Sequence, residues 1–194
     1  SSAEIVGECK EFSNAPLCSI IGDQQGSLVG HGAIETGRSK ITYGTGGFLL
    51  VNTGSKVQLD ADKLLATVAY TVNGKTAYAL EGSIFSACSA INWAGHNIKL
   101  FDKVDETEKM ALSVPDNGGV YFVPAFTGLG APFWNANARA CFVGITFGVT
   151  KNHMVRSVLE SLGFGAEAII KEMEKTNINL KSINVDGGGS KNRF

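Results

Sequence analysis

The chain has no Cys-x-x-Cys pair, no membrane-length apolar run and no excess of basic residues, and each absence removes a class of function. Its four cysteines, Cys9, Cys18, Cys88 and Cys141, are too scattered for a zinc site or a disulfide frame. Cys18, Cys88 and Cys141 fall inside apolar stretches, so they are expected to be buried or half-buried thiols of a reducing cytosol. Lys+Arg of 17 against Asp+Glu of 18 gives a formal charge of −1, which argues against a nucleic-acid partner. No window approaches the ~18 apolar residues of a membrane span, and the first residues lack the charged-then-apolar pattern of a signal peptide. The glycine-rich run at 187–189 is neither Gly-x-Gly-x-x-Gly nor a Walker phosphate loop, since no Gly-Lys-Ser/Thr follows it.

What is present suffices for one sizeable core. The 194 residues are 44% apolar and 18% charged, which suits one domain or a domain and a half. Glycine is abundant, at 24, and clusters at junctions, as in tight loops near a ligand or in the turns of any β-rich domain. Leu17–Ile21 reads as a strand, Gln25–Gly32 as a short helix, and Lys40–Val51 as a β-rich run broken at Gly44-Thr45-Gly46-Gly47. Asn73-Gly74 between Leu65–Val72 and Lys75–Leu80 predicts a hairpin. Ser83–Asn97 carries a helical apolar period, Asp105–Ser113 a short charged helix, and Gly119–Phe126 and Ala140–Phe147 two apolar strands, the second buried. Asn152 is placed to cap a long helix to about Lys175, with Gly163 and Gly165 marking close packing or a kink. Leu180–Val185 reads as a last strand, and the whole as a mixed α/β domain. The absence of an initial Met, and an end four residues after a glycine-rich loop, lead to the expectation of a fragment.

Three motifs carry candidate chemistry. Gly22-Asp23-Gln24-Gln25 puts a carboxylate and two amides after an apolar run, where Asp23 is either a turn or N-cap residue or a proton acceptor facing a cleft. Tyr43-Gly44-Thr45-Gly46-Gly47 can aim N–H groups and a hydroxyl at a phosphate, although a bulged hairpin has the same composition. Asp186-Gly187-Gly188-Gly189 follows a strand, which is where α/β folds let a nucleotide approach the backbone. The Pro124–Trp134 stretch is read as a structural corner. His31, His96 and His153 are assigned surface or capping roles, Trp93 and Trp134 packing, and Asp105–Lys109 a solvated face.

Taken in order with Ala79-Leu80-Glu81-Gly82, Pro124–Pro132, Ala140–Ile145, His153-Met154 and Ser157–Glu160, these motifs resemble the FGGY family of carbohydrate kinases, most closely its glycerol kinase branch. The resemblance covers nearly the whole chain. It implies an actin-like, ribonuclease-H-like ATPase fold, with polyol and ATP held between two such domains. It further implies that residues 1–194 are the second, C-terminal domain, cut short at its end, without the first polyol-binding domain, and inactive alone. By the same resemblance Asp23 is the general base, Gln24 a polyol ligand and Phe48 an aromatic against the substrate carbons. Gly44, Thr45, Cys88, Asn92, Gly188, Gly189 and Asn192 are implied nucleotide contacts. Cys88 stands where the family has glycine, and Asn92 where it has glutamine. Mg²⁺ is implied through the triphosphate, with no metal ligand assigned in this chain. The implied partners are glycerol or a related polyol and ATP/ADP, with a homodimer or homotetramer in the full protein. Another polyol or a sugar such as xylulose, and a non-catalytic actin-like binding module, stay open as alternatives. Glu11-Phe12-Ser13-Asn14 occupies the place of a Gly-Gly-Thr-Arg inhibitor loop and has no arginine, so that form of feedback is not expected.

Overall fold

Alternation of side chains between two covered faces along the central strands builds the sheet that carries everything else. The computed structural model describes residues 19–59 and 61–194, and the backbone of 7–9 and 15–17. In chain order the elements are β1 (Gly7–Cys9), β2 (Ala15–Leu17), α1 (Asp23–Gly30), β3 (Arg38–Tyr43), β4 (Gly47–Gly54), β5 (Leu65–Val72) and β6 (Lys75–Ile84). They continue as α2 (Cys88–His96), α3 (Glu106–Leu112), β7 (Tyr121–Val123), β8 (Cys141–Val143), α4 (Lys151–Met173) and β9 (Ser182–Asp186), then a 3₁₀ turn at Gly188–Lys191.

The main sheet runs β5-β6-β4-β3-β9, antiparallel except for the parallel β3–β9 pair. One face, with Ile41, Leu49, Val51, Leu80 and Ile84, packs under Ala166, Ile169 and Met173 of α4. The other face, with Leu50, Ala69, Ala77 and Ala79, packs under Leu28 of α1. A third cluster joins α2 to α4 and β7, where Trp93 stacks on Phe122 with ring centroids 6.0 Å apart. Trp93 thus packs, as expected.

The hairpin at Asn73-Gly74 forms with both residues at positive φ, the geometry of the two-residue turn that the dipeptide favours. The long helix is continuous through Gly163 and Gly165. A Cβ at Gly165 would come within 3.0 Å of Ile84, so that glycine marks close packing, whereas Gly163 faces open space.

Several expectations are corrected. The strand expected at Leu17–Ile21 is instead Ala15–Leu17, and Cys18 lies outside the described residues, as do residues 11–14 and the side chain of Cys9. Ser19–Gly22 is irregular, and Asp23 opens α1 two residues before the expected helix start. A carboxylate in a first turn is favoured by the unpaired amides and positive dipole there. The cap of α4 is Thr150, not Asn152: its N–H donates to His153 Nδ1 at 3.1 Å, the return half of a capping box. The stretch expected as a buried strand over Ala140–Phe147 pairs only at 141–143, and Cys141, Val143, Ile145 and Phe147 are exposed. An apolar run is buried only where something covers it, and among the described residues β8 has β7 as its sole strand neighbour.

Gly82 tests how tightly α4 sits on the sheet. A Cβ there would overlap the Ile169 side chain. Gly82→Ala is expected to lower the unfolding free energy by about 1–3 kcal/mol. In urea titrations Ile169→Val should restore part of that loss, since it removes one of the colliding carbons.

Candidate active site

Two rows of side chains cross the α1 face of the sheet, because residues in register point the same way. One row is Asn184, Lys40, Leu50 and Glu81; the next is Asp186, Thr42, Phe48 and Ser83. Helix α1 lies over them. Gln25 Nε2 reaches Thr67 Oγ1 on β5 at 3.4 Å, and Ser27 Oγ donates to Asp186 Oδ2 on β9 at 3.2 Å. His31, just past the helix, brings Nε2 within 2.9 Å of the same oxygen. His31 is also the C-cap residue of α1, the capping role expected of it, and its contact with Asp186 comes in addition.

Lys40 is the largest fully buried side chain among the described residues. Its ammonium donates to Gln24 Oε1 and, at 2.9 Å, to Thr42 Oγ1. Burial pushes its pKa down, while the Asp186, Glu81 and Asp23 carboxylates oppose the fall. Asp23 is exposed at the start of α1. Its Oδ1 accepts the Gln24 backbone N–H at 2.8 Å, and its Oδ2 lies 3.3 Å from Gln24 Nε2. Phe48 is half buried and packs with Leu28 and Leu50 beside this network.

The opposite side of the same strand ends is a cavity of about 390 Å³. Gly44, Cys88, Asn92, Gly188, Gly189 and Asn192 line it. Six of the seven residues expected to touch a nucleotide are therefore brought together. The seventh, Thr45, is exposed at the tip of the β3–β4 turn and is not on the wall. Its carbonyl accepts from Ala87 N at 3.0 Å and Ser89 Oγ at 2.9 Å, while Gly44 O accepts from Cys88 N at 3.0 Å. The turn thus caps α2 and occupies amides that open that helix. Asn192 borders the cavity, but its Nδ2 donates to Thr107 Oγ1 at 3.1 Å and its Oδ1 accepts from Phe194 N at 3.0 Å.

Cys88 fits here because Gly189 has no side chain. A Cβ on Gly189 would lie 2.8 Å from Cys88 Sγ and 2.9 Å from Tyr43 Cβ. Gly187, at φ +89°, leaves no room for a Cβ beside the Tyr43 backbone. Burial pushes the Cys88 thiol up, so it is held protonated, and burial together with Cys88 does the same to the Tyr43 hydroxyl.

Sequence reasoning missed Lys40, Thr42 and the Asp186 carboxylate as members of the polar network, and Tyr43, Asp105, Glu108 and Lys191 as cavity walls. Asp105, Glu106 and Lys109 are exposed, as expected of a solvated face, but Thr107 is fully buried; Asp105 and Glu108 border the cavity, and Glu108 Oε2 accepts the Arg193 N–H at 3.0 Å. The available signal was the alternation of Arg38–Tyr43, which puts a lysine on the same face as Thr42.

Comparison with known proteins decides the family. The model for the "FGGY family of carbohydrate kinases, C-terminal domain" matches residues 39–194. The chain belongs to the FGGY family of carbohydrate kinases. This FGGY chain is 47% identical over 180 residues to glycerol kinase 2 of Thermotoga maritima, covering 92% of itself and 36% of that protein. It is 46% identical to the glycerol kinase of Pediococcus pentosaceus, covering all of itself and 39% of that protein. Among solved structures it superposes on Plasmodium falciparum glycerol kinase with ADP at TM-score 0.83 and 39% identity, over 93% of this chain and 36% of that one. Xylulose kinase from Lactobacillus acidophilus follows at TM-score 0.73 and 28% identity, over 87% and 34%. The fold is the actin-like, ribonuclease-H-like ATPase fold of these kinases. The chain thus spans well under half the length of the curated relatives it matches. No helix among the described residues is long and apolar enough to cross a membrane.

Two outcomes follow from this geometry. Gly189→Ala should cost about 1–3 kcal/mol of stability, and Cys88→Gly should recover the part due to Sγ but not the part due to Tyr43. Thermal melts of the single and double variants measure both. Burial raises the Asp186 pKa, but hydrogen bonds from Thr42, His31 and Ser27 and the His31 charge outweigh it and leave the carboxyl below its ordinary value of 3.8. Such a group stabilises the fold above that ordinary value, and the gain is lost as pH falls through its lower folded value. Asp186→Asn should therefore flatten the loss of melting temperature below pH 3.8.

Proposed function

We propose that this chain is the C-terminal, nucleotide-side half of an ATP-dependent polyol kinase, with glycerol as acceptor and glycerol 3-phosphate as product. The observation that carries the reading is the layout of two neighbouring strand ends. On β3, Lys40 and Thr42 belong to the Asp23–Gln24 network, and Tyr43 and Gly44 border the cavity. On the β9 side, Asp186 belongs to the network and Gly188 to the cavity, two residues on. An acceptor hydroxyl beside Asp23 and a triphosphate in the cavity would therefore meet across the Tyr43–Gly47 turn.

In this reading the polyol oxygen attacks the γ-phosphorus. Its bond to phosphorus forms as the bond to the ADP oxygen breaks, and its proton passes to the Asp23 carboxylate. Phosphoryl transfer asks for position and charge balance more than covalent work. Asp23 suits the task because it is exposed to incoming substrate while its oxygens are oriented by Gln24. Phe48 offers an apolar side to the carbon chain. Gly188 and Gly189 offer backbone without side chains to the nucleotide. Mg²⁺ enters with the nucleotide as MgATP, carried by phosphate oxygens and water. Among the described residues no cluster of His, Cys, Asp and Glu forms a metal cage. Glycerol is preferred over a sugar because the relatives near 46% identity carry the name glycerol kinase, whereas the xylulose kinase neighbour is at 28%.

The test is ADP release by the full-length kinase carrying this chain, with glycerol and xylulose as acceptors. Asp23→Asn should lower kcat by about 10²–10⁴-fold with little change in the KM for ATP. Near-wild-type turnover in that variant would remove Asp23 from the mechanism.

A further inference from the structure

Lys40 is a buried cation that the reaction scheme above does not use. A cation taken out of water is normally neutralised by a carboxylate in contact with it. Three carboxylates surround this one, Asp23 from α1, Glu81 from β6 and Asp186 from β9. Yet among the described residues none comes within 4.0 Å of the ammonium to form an ion pair. Its hydrogens go instead to an amide oxygen and a hydroxyl, and the amide leads outward to the Asp23 carboxylate.

We propose that Lys40 is a positioning residue that makes Gln24 a one-way hydrogen-bond donor toward the polyol and Asp23. This rests on the reading of Asp23 and Gln24 as the acceptor-hydroxyl site. A primary amide has one acceptor oxygen and one NH₂ group, and it can flip. With Oε1 taken by the ammonium, the flipped amide would press NH₂ hydrogens against NH₃⁺ hydrogens, so only one orientation stands. Nε2 then faces Asp23 Oδ2, at 3.3 Å.

The consequence concerns the direction in which a bound hydroxyl points its proton. A hydroxyl beside a free amide could donate to Oε1 and turn its proton away from Asp23. With Oε1 occupied, the hydroxyl oxygen accepts from Nε2, and its own hydrogen is left for the Asp23 carboxylate. The order of donation runs from Lys40 to Gln24 to the hydroxyl to Asp23. Thr42 widens the same network sideways: its oxygen accepts from Lys40, and it stands beside Asp186 in register. Phe48, next to Thr42 in register, closes the apolar side of the same spot.

Steady-state kinetics of the full-length kinase test this, with the polyol it turns over and ATP varied separately. Lys40→Met should raise the KM for the polyol and lower kcat/KM by about 10–100-fold, the range of a hydrogen bond to a charged group. The KM for ATP should move less than about 2-fold. Because Lys40 acts through Gln24, adding Lys40→Met to a Gln24→Met background should change the polyol KM no further. Gln24→Glu gives an independent reading that survives if Lys40→Met does not fold. It keeps an acceptor for Lys40 and removes the Nε2 donors, so it should melt at or above the wild-type temperature and still raise the polyol KM. The proposal is overturned if folded Lys40→Met or Gln24→Glu keeps the wild-type polyol KM, or if the two Met substitutions add fully. A wild-type kinase with no polyol-dependent ADP release would instead overturn the functional reading, and this inference with it.

Discussion

The α1 face of the sheet is organised around one ammonium group that has no access to water. Lys40 sits where period-2 alternation puts its side chain on the α1 face, between Leu50 on β4 and Asn184 on β9. A charge in that position is costly unless its hydrogens are all directed. The groups it holds are the ones that give the helix its place: Gln24 at the start of α1 and Thr42 at the end of β3. Ser27 and His31 add two more ties, both to Asp186. The orientation of α1, and so of the Asp23 carboxylate at its first position, follows from polar contacts as much as from the burial of Leu28.

On the other side of the strand ends, the same economy appears in backbone. The β3–β4 turn offers its carbonyls to the first amides of α2, and the segment after β9 lies against Tyr43. Neither contact leaves much room for side chains. The helix that lines the cavity through Ile91 and Asn92 is thereby fixed to the same hairpin that carries Lys40. A network of polar side chains and a ligand-sized cavity share one hairpin, with two residues between Lys40 and Tyr43.

Much of this was legible in the residues, and the parts that were not share a cause. The Asn73-Gly74 hairpin and the long α4 could be read because local chemistry determines them. The glycine-rich turns were legible as places where backbone approaches something, and they do line one cavity. Lys40 was not legible, because a lysine in an alternating strand reads as solvent-facing until a helix is known to cover it. The exposure of Cys141, Ile145 and Phe147 was missed for the complementary reason, since apolar composition does not say what will cover it. Thr150 was passed over for Asn152 because the His153 ring, three residues on, completes the cap. The Cys88–Gly189 fit needed two positions 101 apart to be seen side by side.

The glycine segment pressed on Tyr43 has a consequence for how such a site can diversify. Where main chain touches main chain, the only lateral change open is the addition of a side chain, and there is no space for one at Gly187 or Gly189. That floor of the cavity is closed to gradual tuning by substitution. The walls made by Asn92, Asp105, Glu108 and Lys191 consist of side chains that border open space. Change in what the cavity admits would therefore find its raw material on α2, on the N-terminal end of α3 and on the 3₁₀ turn, while the floor stays fixed.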